Sequence, residues 1–419
     1  MMLALLVAAT FSAPNIVLIS VDTLRADHLG FYGHAAPTSP NLDKLAARSL
    51  VFDDMICEVP LTAPSFCAMM TSRYPRSTGV TRNGIRLPED VPTVAEILSD
   101  AGYQTMCVTS NWTLKSRLLG LDRGFDAYDD GFRKMRWVIL KAERDAHEVT
   151  DLALAQLAAR DPERPFFAWY HYSDPHAPYR LHEGFVVSTE KDYAGDPGAK
   201  EKARYDSEIA YADSEIARLL ESLPRENTLI VFVGDHGESL REHGYLGHGR
   251  RIYQNGLRIP FFIHGEGVAP GRNNAPVRGI DLAPTLLVLA GLEPAAGMQG
   301  LALTRALPRR DRVRVVEAYG GAVLNVPGAK EMMTRSGPEL QSAILEGWKL
   351  IMESGPPELY YLPNDPGEEH NLAMKSPARL ASLEATIETW SKAIASGASN
   401  DAGLSTEDVE ALKSLGYVD

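Results

Sequence analysis

The chain is poor in three things, and each shortage excludes a class of protein. Cysteine occurs only as Cys57, Cys67 and Cys107, an odd count with no CxxC pair. That argues against a disulfide framework and leaves all three as buried core thiols. Basic residues are outnumbered, 42 against 55 acidic ones, for a formal charge of −13. The basic footprint of a nucleic-acid partner is therefore missing. Arg305, Arg309, Arg310, Arg312 and Arg314 do cluster, but without interleaved aromatic residues on which bases could stack. They read as a solvated link into a strand. Long apolar runs are absent beyond the amino terminus: no later stretch approaches the ~18 residues a membrane helix needs, so no transmembrane segment is expected. No internal repeat is visible either.

What is present suits one large core. The 419 residues are 45% hydrophobic, enough for an α/β unit with a smaller appendage. Residues 1–13 have an apolar centre and end in small residues, in the manner of a secretory signal, although a basic start is lacking and the segment runs straight into the first strand. The expectation is export to the periplasm or beyond, with the cytoplasm as the alternative. Apolar strands are expected over 15–21, 103–109, 165–172, 228–233 and 259–264. Helical spacing is expected over 41–49, 64–71, 93–101, 149–159, 202–222 and 280–290. Strands and helices in alternation imply a mostly parallel sheet between helices. After Gly300 the texture becomes antiparallel, with strands over 313–317, within 343–352 and over 358–362, then a helix over 377–394. Residues 395–403 are rich in small residues and read as a linker, and 406–415 as a short helix. The expected division is thus a leader (1–13), a catalytic unit (14–305), a small α+β subdomain (306–395), and a linker with a terminal helix (396–419).

Chemistry-bearing residues stand where the apolar strands end. Asn15-Ile16-Val17-Leu18-Ile19-Ser20-Val21 runs into Asp22, and Thr228-Leu229-Ile230-Val231-Phe232-Val233-Gly234 runs into Asp235-His236-Gly237-Glu238. Ligands of open α/β sheets gather at the carboxyl ends of strands. Neighbouring strands would bring Asp22, Asp235 and His236 together. Two carboxylates and an imidazole suit Zn²⁺, Mn²⁺ or Mg²⁺, and further carboxylates would lean towards Ca²⁺. Asp22 alone could equally be a helix cap; the glycine-flanked pair Asp235-His236 makes that reading less economical. Thr62, in Pro60-Leu61-Thr62-Ala63-Pro64, sits at the start of an expected helix. It is the candidate nucleophile, a weak one unless a coordinated cation lowers its pKa, and the candidate fourth ligand. Its bland alternative is to cap that helix. Histidines in the stretch 171–179, together with His243 and His248, could meet an anion. His176 and His248 are the choices for oxygen contacts or leaving-group protonation, and either could instead hold a second metal. His243 reads as well as a structural loop residue.

These segments, in order, resemble the sulfatase family of the alkaline phosphatase superfamily. The carriers are Asn15 to Asp22 with Leu29-Gly30-Phe31-Tyr32-Gly33, Thr38 to Ala46, Pro60 to Ser65 with Thr71-Ser72-Arg73-Tyr74-Pro75, Asp174-Pro175-His176-Ala177-Pro178-Tyr179, and Gly234 to Glu238. Gly347-Trp348-Lys349-Leu350-Ile351 and Leu359 to Pro366 are similar to the family's C-terminal subdomain. The resemblance spans about 15–395 and implies an alkaline-phosphatase-like α/β fold, a divalent metal and ester hydrolysis. It also departs from the family's pattern. The slot for the Cys or Ser that matures to formylglycine, in C/S-x-P-x-R, reads Thr62-Ala63-Pro64-Ser65-Phe66. Threonine cannot undergo that maturation, and Phe66 replaces the arginine. The usual paired aspartates read Asp22-Thr23, and the Lys-Trp-His segment reads Ser110-Asn111-Trp112-Thr113, which leaves Asn111 as the candidate substrate contact there.

A formylglycine hydrate can expel sulfate by elimination, whereas a threonyl ester must be attacked by water at its central atom. That favours phosphate esters, diesters or phosphonate esters cleaved through a covalent Thr62 intermediate. The lost arginine and lysine also remove charge-assisted contacts to a sulfate. A sulfuric ester hydrolase working without formylglycine is the second reading, and a non-catalytic anion- or glycan-binding relative the third. The expected partner is a small-molecule, glycan- or lipid-derived ester. Asn111-Trp112-Thr113 also fits a glycosylation acceptor, which is read as chance. Nothing in the sequence sets an oligomeric state.

Overall fold

The computed structural model describes residues 13–132, 143–304, 308–320, 338–398, 400–401 and 403–414. The expected leader thus falls, but for Ala13, outside the described residues, as does Arg305. Among the described residues, no helix is long and apolar enough to cross a membrane.

The main sheet is built from β1 (Asn15–Val21), β2 (Leu50–Ile56), β3 (Gln104–Val108), β4 (Ala127–Asp129), β5 (Phe166–Tyr172), β6 (Thr228–Gly234), β7 (Arg258–His264) and β8 (Gly271–Asn273). They lie side by side as β8-β2-β7-β6-β1-β5-β3-β4, with a two-residue strand, Val277–Arg278, also on β2. β1 pairs in parallel with β5 and β6, and β3 with β4 and β5. β7 runs against both its neighbours, β6 and β2. The sheet is therefore mixed but mostly parallel, as expected. β1 and β5 are apolar on both faces because both faces are covered, and their side chains divide between two core clusters: Ile16, Leu18, Phe167 and Trp169 face one, and Val17, Ile19, Phe166, Ala168 and Tyr170 the other.

The flanking helices are α1 (Pro40–Ala46), α2 (Thr62–Thr71), α3 (Val94–Asp100), α4 (Ala146–Ala159), α5 (Ala199–Glu221) and α6 (Leu282–Leu289). α3 starts with a capping box between Thr93 and Glu96, and α4 with an Asp145 cap accepting from the Glu148 N–H. α2 is buried along its whole length.

A second sheet follows: β9 (Arg314–Ala318), β10 (Leu340–Leu345), β11 (Trp348–Met352) and β12 (Glu358–Tyr361), antiparallel throughout and in chain order. Its two faces alternate as a period of two demands. Ile344, Ile351 and Tyr360 face the main core, while Ala343, Leu350 and Leu359 face Leu383 and Ile387 of α7 (Pro377–Ala393). The stretch read as a linker is docked: Gly397 N–H donates to the Arg76 carbonyl, and Asn400–Asp401 pairs with Ile85–Arg86. The last helix, α8 (Thr406–Ser414), packs Ala411 and Leu412 against Leu61, Val59 and Trp112.

Candidate active site

Five strands that run the same way deliver one residue group each to a common edge. β1 ends at Asp22, β5 carries His171, β6 ends at Asp235 and His236, β3 leads to Ser110 and Asn111, and β2 leads through Pro60 to Thr62. The junctions are held by backbone bonds that continue the sheet: Asp22 N–H to the Tyr172 carbonyl at 2.9 Å, and Asp235 N–H to the Val21 carbonyl at 3.4 Å. Ser65 Oγ donates to the Asp235 carbonyl at 2.7 Å and seats the start of α2 on that loop. Thr62 is the first helical residue and Leu61 holds the capping position, so the hydroxyl is not in the place of an N-cap.

All four residues read as metal ligands meet. His236 Nε2 lies 3.3 Å from Thr62 Oγ1, 3.4 Å from Asp235 Oδ2 and 3.6 Å from Asp22 Oδ1. The imidazole is oriented by its other nitrogen: Nδ1 sits 2.9 Å from the Gly237 carbonyl, so it carries the proton and Nε2 turns a lone pair inward. Asp235 Oδ1 accepts from the N–H groups of Thr23 and His236 at 3.0 and 2.7 Å, which leaves Oδ2 for the centre. Asn111 Nδ2 donates to Asp22 Oδ2 at 2.7 Å, while its Oδ1 accepts from the Thr113 N–H and hydroxyl. The amide expected to meet substrate is thus seated on Asp22.

Sequence reasoning did not place His171 among the ligands. Its Nε2 stands 3.8 Å from Asp22 Oδ2, and its Nδ1 2.7 Å from Ser110 Oγ. The donor atoms of Asp22, His171 and Asp235 lie within 4.8 Å of one another. The available signal was position: His171 is the penultimate residue of a buried strand paired with β1, opposite Ser20.

These residues fit a divalent cation. Asp22 Oδ1, Asp235 Oδ2 and His171 Nε2 are buried and make no hydrogen bond. Such atoms are costly unless an ion satisfies them. The metal-free electrostatics say the same. Burial lifts Asp22 to about 7, and burial together with the Asp22 charge lifts Asp235 well above the carboxylate range. Burial, then His176 and His236, push His171 down to about 3, so its imidazole is neutral and free to ligate. Two other groups of similar composition are hydrogen-bond hubs. Around Asp206, His28 Nδ1 bonds at 2.7 Å and Ser188 Oγ at 2.5 Å, with Tyr193 on the same carboxylate. Around Glu208, His182 Nε2 and the Arg180 N–H each bond at 2.6 Å.

His248 and His176 form a row leading out from His236. The His248 ring lies 4.5 Å from that of His236 and 5.2 Å from that of His176. His248 Nδ1 is 3.2 Å from Glu238 Oε1, and His176 Nδ1 is 2.8 Å from Glu143 Oε1. Burial lowers His248 well below the usual imidazole range. Burial works against His176 too, but Glu143, Asp22 and Glu238 outweigh it and raise it to about 10. The orienting carboxylates were given no role from the sequence: Glu143 belongs to no spacing pattern, and Glu238 stands in the segment Gly234 to Glu238 without a partner that the sequence names. His243 stacks on Tyr253 at 3.7 Å and bonds to the Gly367 carbonyl, as a structural loop residue would.

A carboxylate–imidazole cage with a hydroxyl at its rim, at the carboxyl edge of a mixed α/β sheet, defines a hydrolase of ester bonds. The comparisons agree. Residues 14–292 match the family model described as Sulfatase, and the chain belongs to that family. It is 28% identical over 440 residues to the choline-sulfatase of Rhizobium meliloti (strain 1021), covering 87% of this chain and 83% of that protein. It is 28% identical to human arylsulfatase A, covering 86% and 83%. In structure it is similar to the phosphonate monoester hydrolase of Agrobacterium radiobacter, with a TM-score of 0.73 at 21% identity over 90% of this chain and 95% of that one. That likeness bears on the fold alone.

Proposed function

We propose that the protein hydrolyses phosphate esters, phosphate diesters or phosphonate esters through a covalent intermediate on Thr62, with a divalent cation held by Asp22, Asp235, His236, Thr62 and His171. The observation that carries this is the position of the Thr62 hydroxyl, 3.3 Å from the inward-facing nitrogen of His236 and inside the same ring of donors as both aspartates. When bound, the cation supplies the positive charge that makes an alcohol acidic and balances the anionic ester. The imidazole content of the cage favours Zn²⁺ over the hard oxygen-seeking ions.

The residues then divide the work. Thr62 Oγ, its proton lost to solvent, forms a bond to phosphorus as the bond to the leaving oxygen breaks. His176, protonated at neutral pH, gives its proton to that oxygen, and the alcohol departs. The resulting neutral imidazole takes a proton from water, whose oxygen attacks phosphorus and releases Thr62. His248, neutral and oriented by Glu238, contacts the ester oxygens. The substrate reading rests on charge. Phe66 stands where the family pattern has arginine; it is buried, 5.1 Å from the Trp169 ring and 5.0 Å from that of His171. No guanidinium is offered there to a sulfate.

Thr62→Ala should fold and bind metal but lose at least about a thousandfold in kcat, while Thr62→Ser keeps measurable turnover. Aryl phosphate, bis-aryl phosphate and aryl phosphonate should be cleaved faster than aryl sulfate in parallel assays. Family membership supports the second reading, a sulfuric ester hydrolase, and a clear preference for the sulfate would establish it instead. A wild-type-like Thr62→Ala enzyme would remove the nucleophile.

A further inference from the structure

The small C-terminal sheet reaches the site through a buried ion pair. Lys349 in β11 and Glu368 in the turn after β12 are almost wholly buried, with Nζ and Oε1 2.5 Å apart. The other oxygen of Glu368 accepts from the Gln254 backbone N–H, also at 2.5 Å. The next two carbonyls of that segment, Asn255 and Gly256, accept from the N–H groups of Glu238 and Gly237 at 3.0 and 2.9 Å. Gly237 in turn holds His236 Nδ1 on its carbonyl. A continuous path of polar contacts thus runs from the second sheet to a proposed metal ligand. It has little slack, since a methyl group at Gly237 would lie 2.0 Å from the Asn255 oxygen.

Stability does not account for such a pair. Two charges withdrawn from water regain in Coulomb energy about what they lose in hydration, and apolar replacements of similar volume are often neutral or better. What an apolar pair cannot supply is an acceptor for the Gln254 N–H. We propose that Glu368 is a positioning residue for the turn 234–238: its carboxylate fixes the 254–256 segment, which fixes His236, and Lys349 holds that carboxylate in place. The inference rests on the reading of the site as a metal-dependent hydrolase, but it can be tested without turnover.

The test measures the affinity for Zn²⁺ by chelator competition, the thermal midpoint, and kcat and KM on an aryl phosphate, in the full chain. Gln254 is the first residue of a short helical turn, and Tyr253 before it is extended (φ −75°, ψ 163°), a geometry that accepts proline. Gln254→Pro therefore deletes the donor and sets its ring Cδ against the Glu368 carboxylate, which must leave its seat on the 254–256 segment. It should fold, bind Zn²⁺ about tenfold more weakly and lose kcat with little change in KM. The pair K349M/E368Q keeps an acceptor without charge and should match wild type in Zn²⁺ affinity. The pair K349M/E368L has no acceptor; it should be equally stable but about 10- to 100-fold weaker for Zn²⁺. Undiminished Zn²⁺ affinity in Gln254→Pro, or equal loss in the two double variants, overturns the proposal even if the larger replacement fails to fold. A wild-type protein that binds no divalent cation overturns the reading of the site itself, and this inference with it.

Discussion

Two carboxylates buried in one apolar edge repel each other unless a proton or a cation stands between them. In the metal-free protein burial favours the protonated form and holds Asp22 at about 7 against an ordinary 3.8. The consequence for stability has a definite sign. Between about pH 4 and pH 7 the folded chain keeps a proton on this group that the unfolded chain has lost, so stability falls as pH rises through that window. Asp22→Asn abolishes the titration. The metal-free variant should therefore gain on metal-free wild type as pH rises from 4 to 7, in thermal midpoints read at each pH. A constant offset would contradict the assignment. With Zn²⁺ bound the dependence of the wild type should reverse, because the ion replaces the proton. Asp22, Thr62, Asp235 and His236 were legible because each ends an apolar run or opens a helix. His171 and the orienting groups Ser110, Glu143 and Glu238 were not, because their roles come from which strands lie side by side, and a single sequence does not state strand order.

Elements tell the same story in coarser form. Buried parallel strands announce themselves as unbroken apolar runs, and β1, β5 and β6 were read within a residue or so. β2 escaped because Asp53 and Asp54 interrupt its apolar pattern. They are tolerated at that edge by Arg272, which pairs with Asp53, and by Arg314, 2.6 Å from Asp54. The reversed direction of β7 was illegible too; its Pro260 falls at a register shift beside Gly234, where the ladder already breaks. The terminal helix was expected, but not its docking. Asp408 accepts from Trp112 Nε1 at 2.9 Å and from the Ser405 N–H and hydroxyl at 2.8 and 2.7 Å, and pairs with Arg117. Trp112 is the residue after Asn111, so α8 is fastened to the segment that seats Asp22. Asp408→Ala strands a buried indole N–H and a helix cap, at a cost of about 2–4 kcal/mol. Asp408→Asn, which keeps an acceptor, should lose less than half of that. Urea midpoints at matched slopes would measure both, and equal losses would show that the charge rather than the acceptor matters.

At the scale of the whole molecule, the two sheets have one core. The cluster that holds Ile16, Leu18, Phe261 and Trp169 of the main sheet also holds Val316, Ala318, Ile344, Ile351 and Tyr360 of the second. The change in texture after Gly300 marks a change of architecture, not a seam where contacts thin out, and the family match ending at residue 292 takes in only the main sheet's share of that core. Surface that is buried between the sheets would be exposed in either half alone, and apolar area left in water costs about 25 cal/mol per Å². Linkers between independent domains are crossed by few contacts. Here Glu317 N–H donates to the Glu58 carbonyl, Arg312 holds Asp281 with both nitrogens, and Arg76 pairs with Glu317. The full chain should accordingly unfold in a single calorimetric transition with both sheets reporting together. A fragment comprising residues 14–304 should lack cooperative unfolding and bind an apolar dye, even with Zn²⁺ present. Two separated transitions, or a fragment with a sharp one of its own, would show that the second sheet is an independent domain and that its hold on the site is a contact between bodies, not a shared interior.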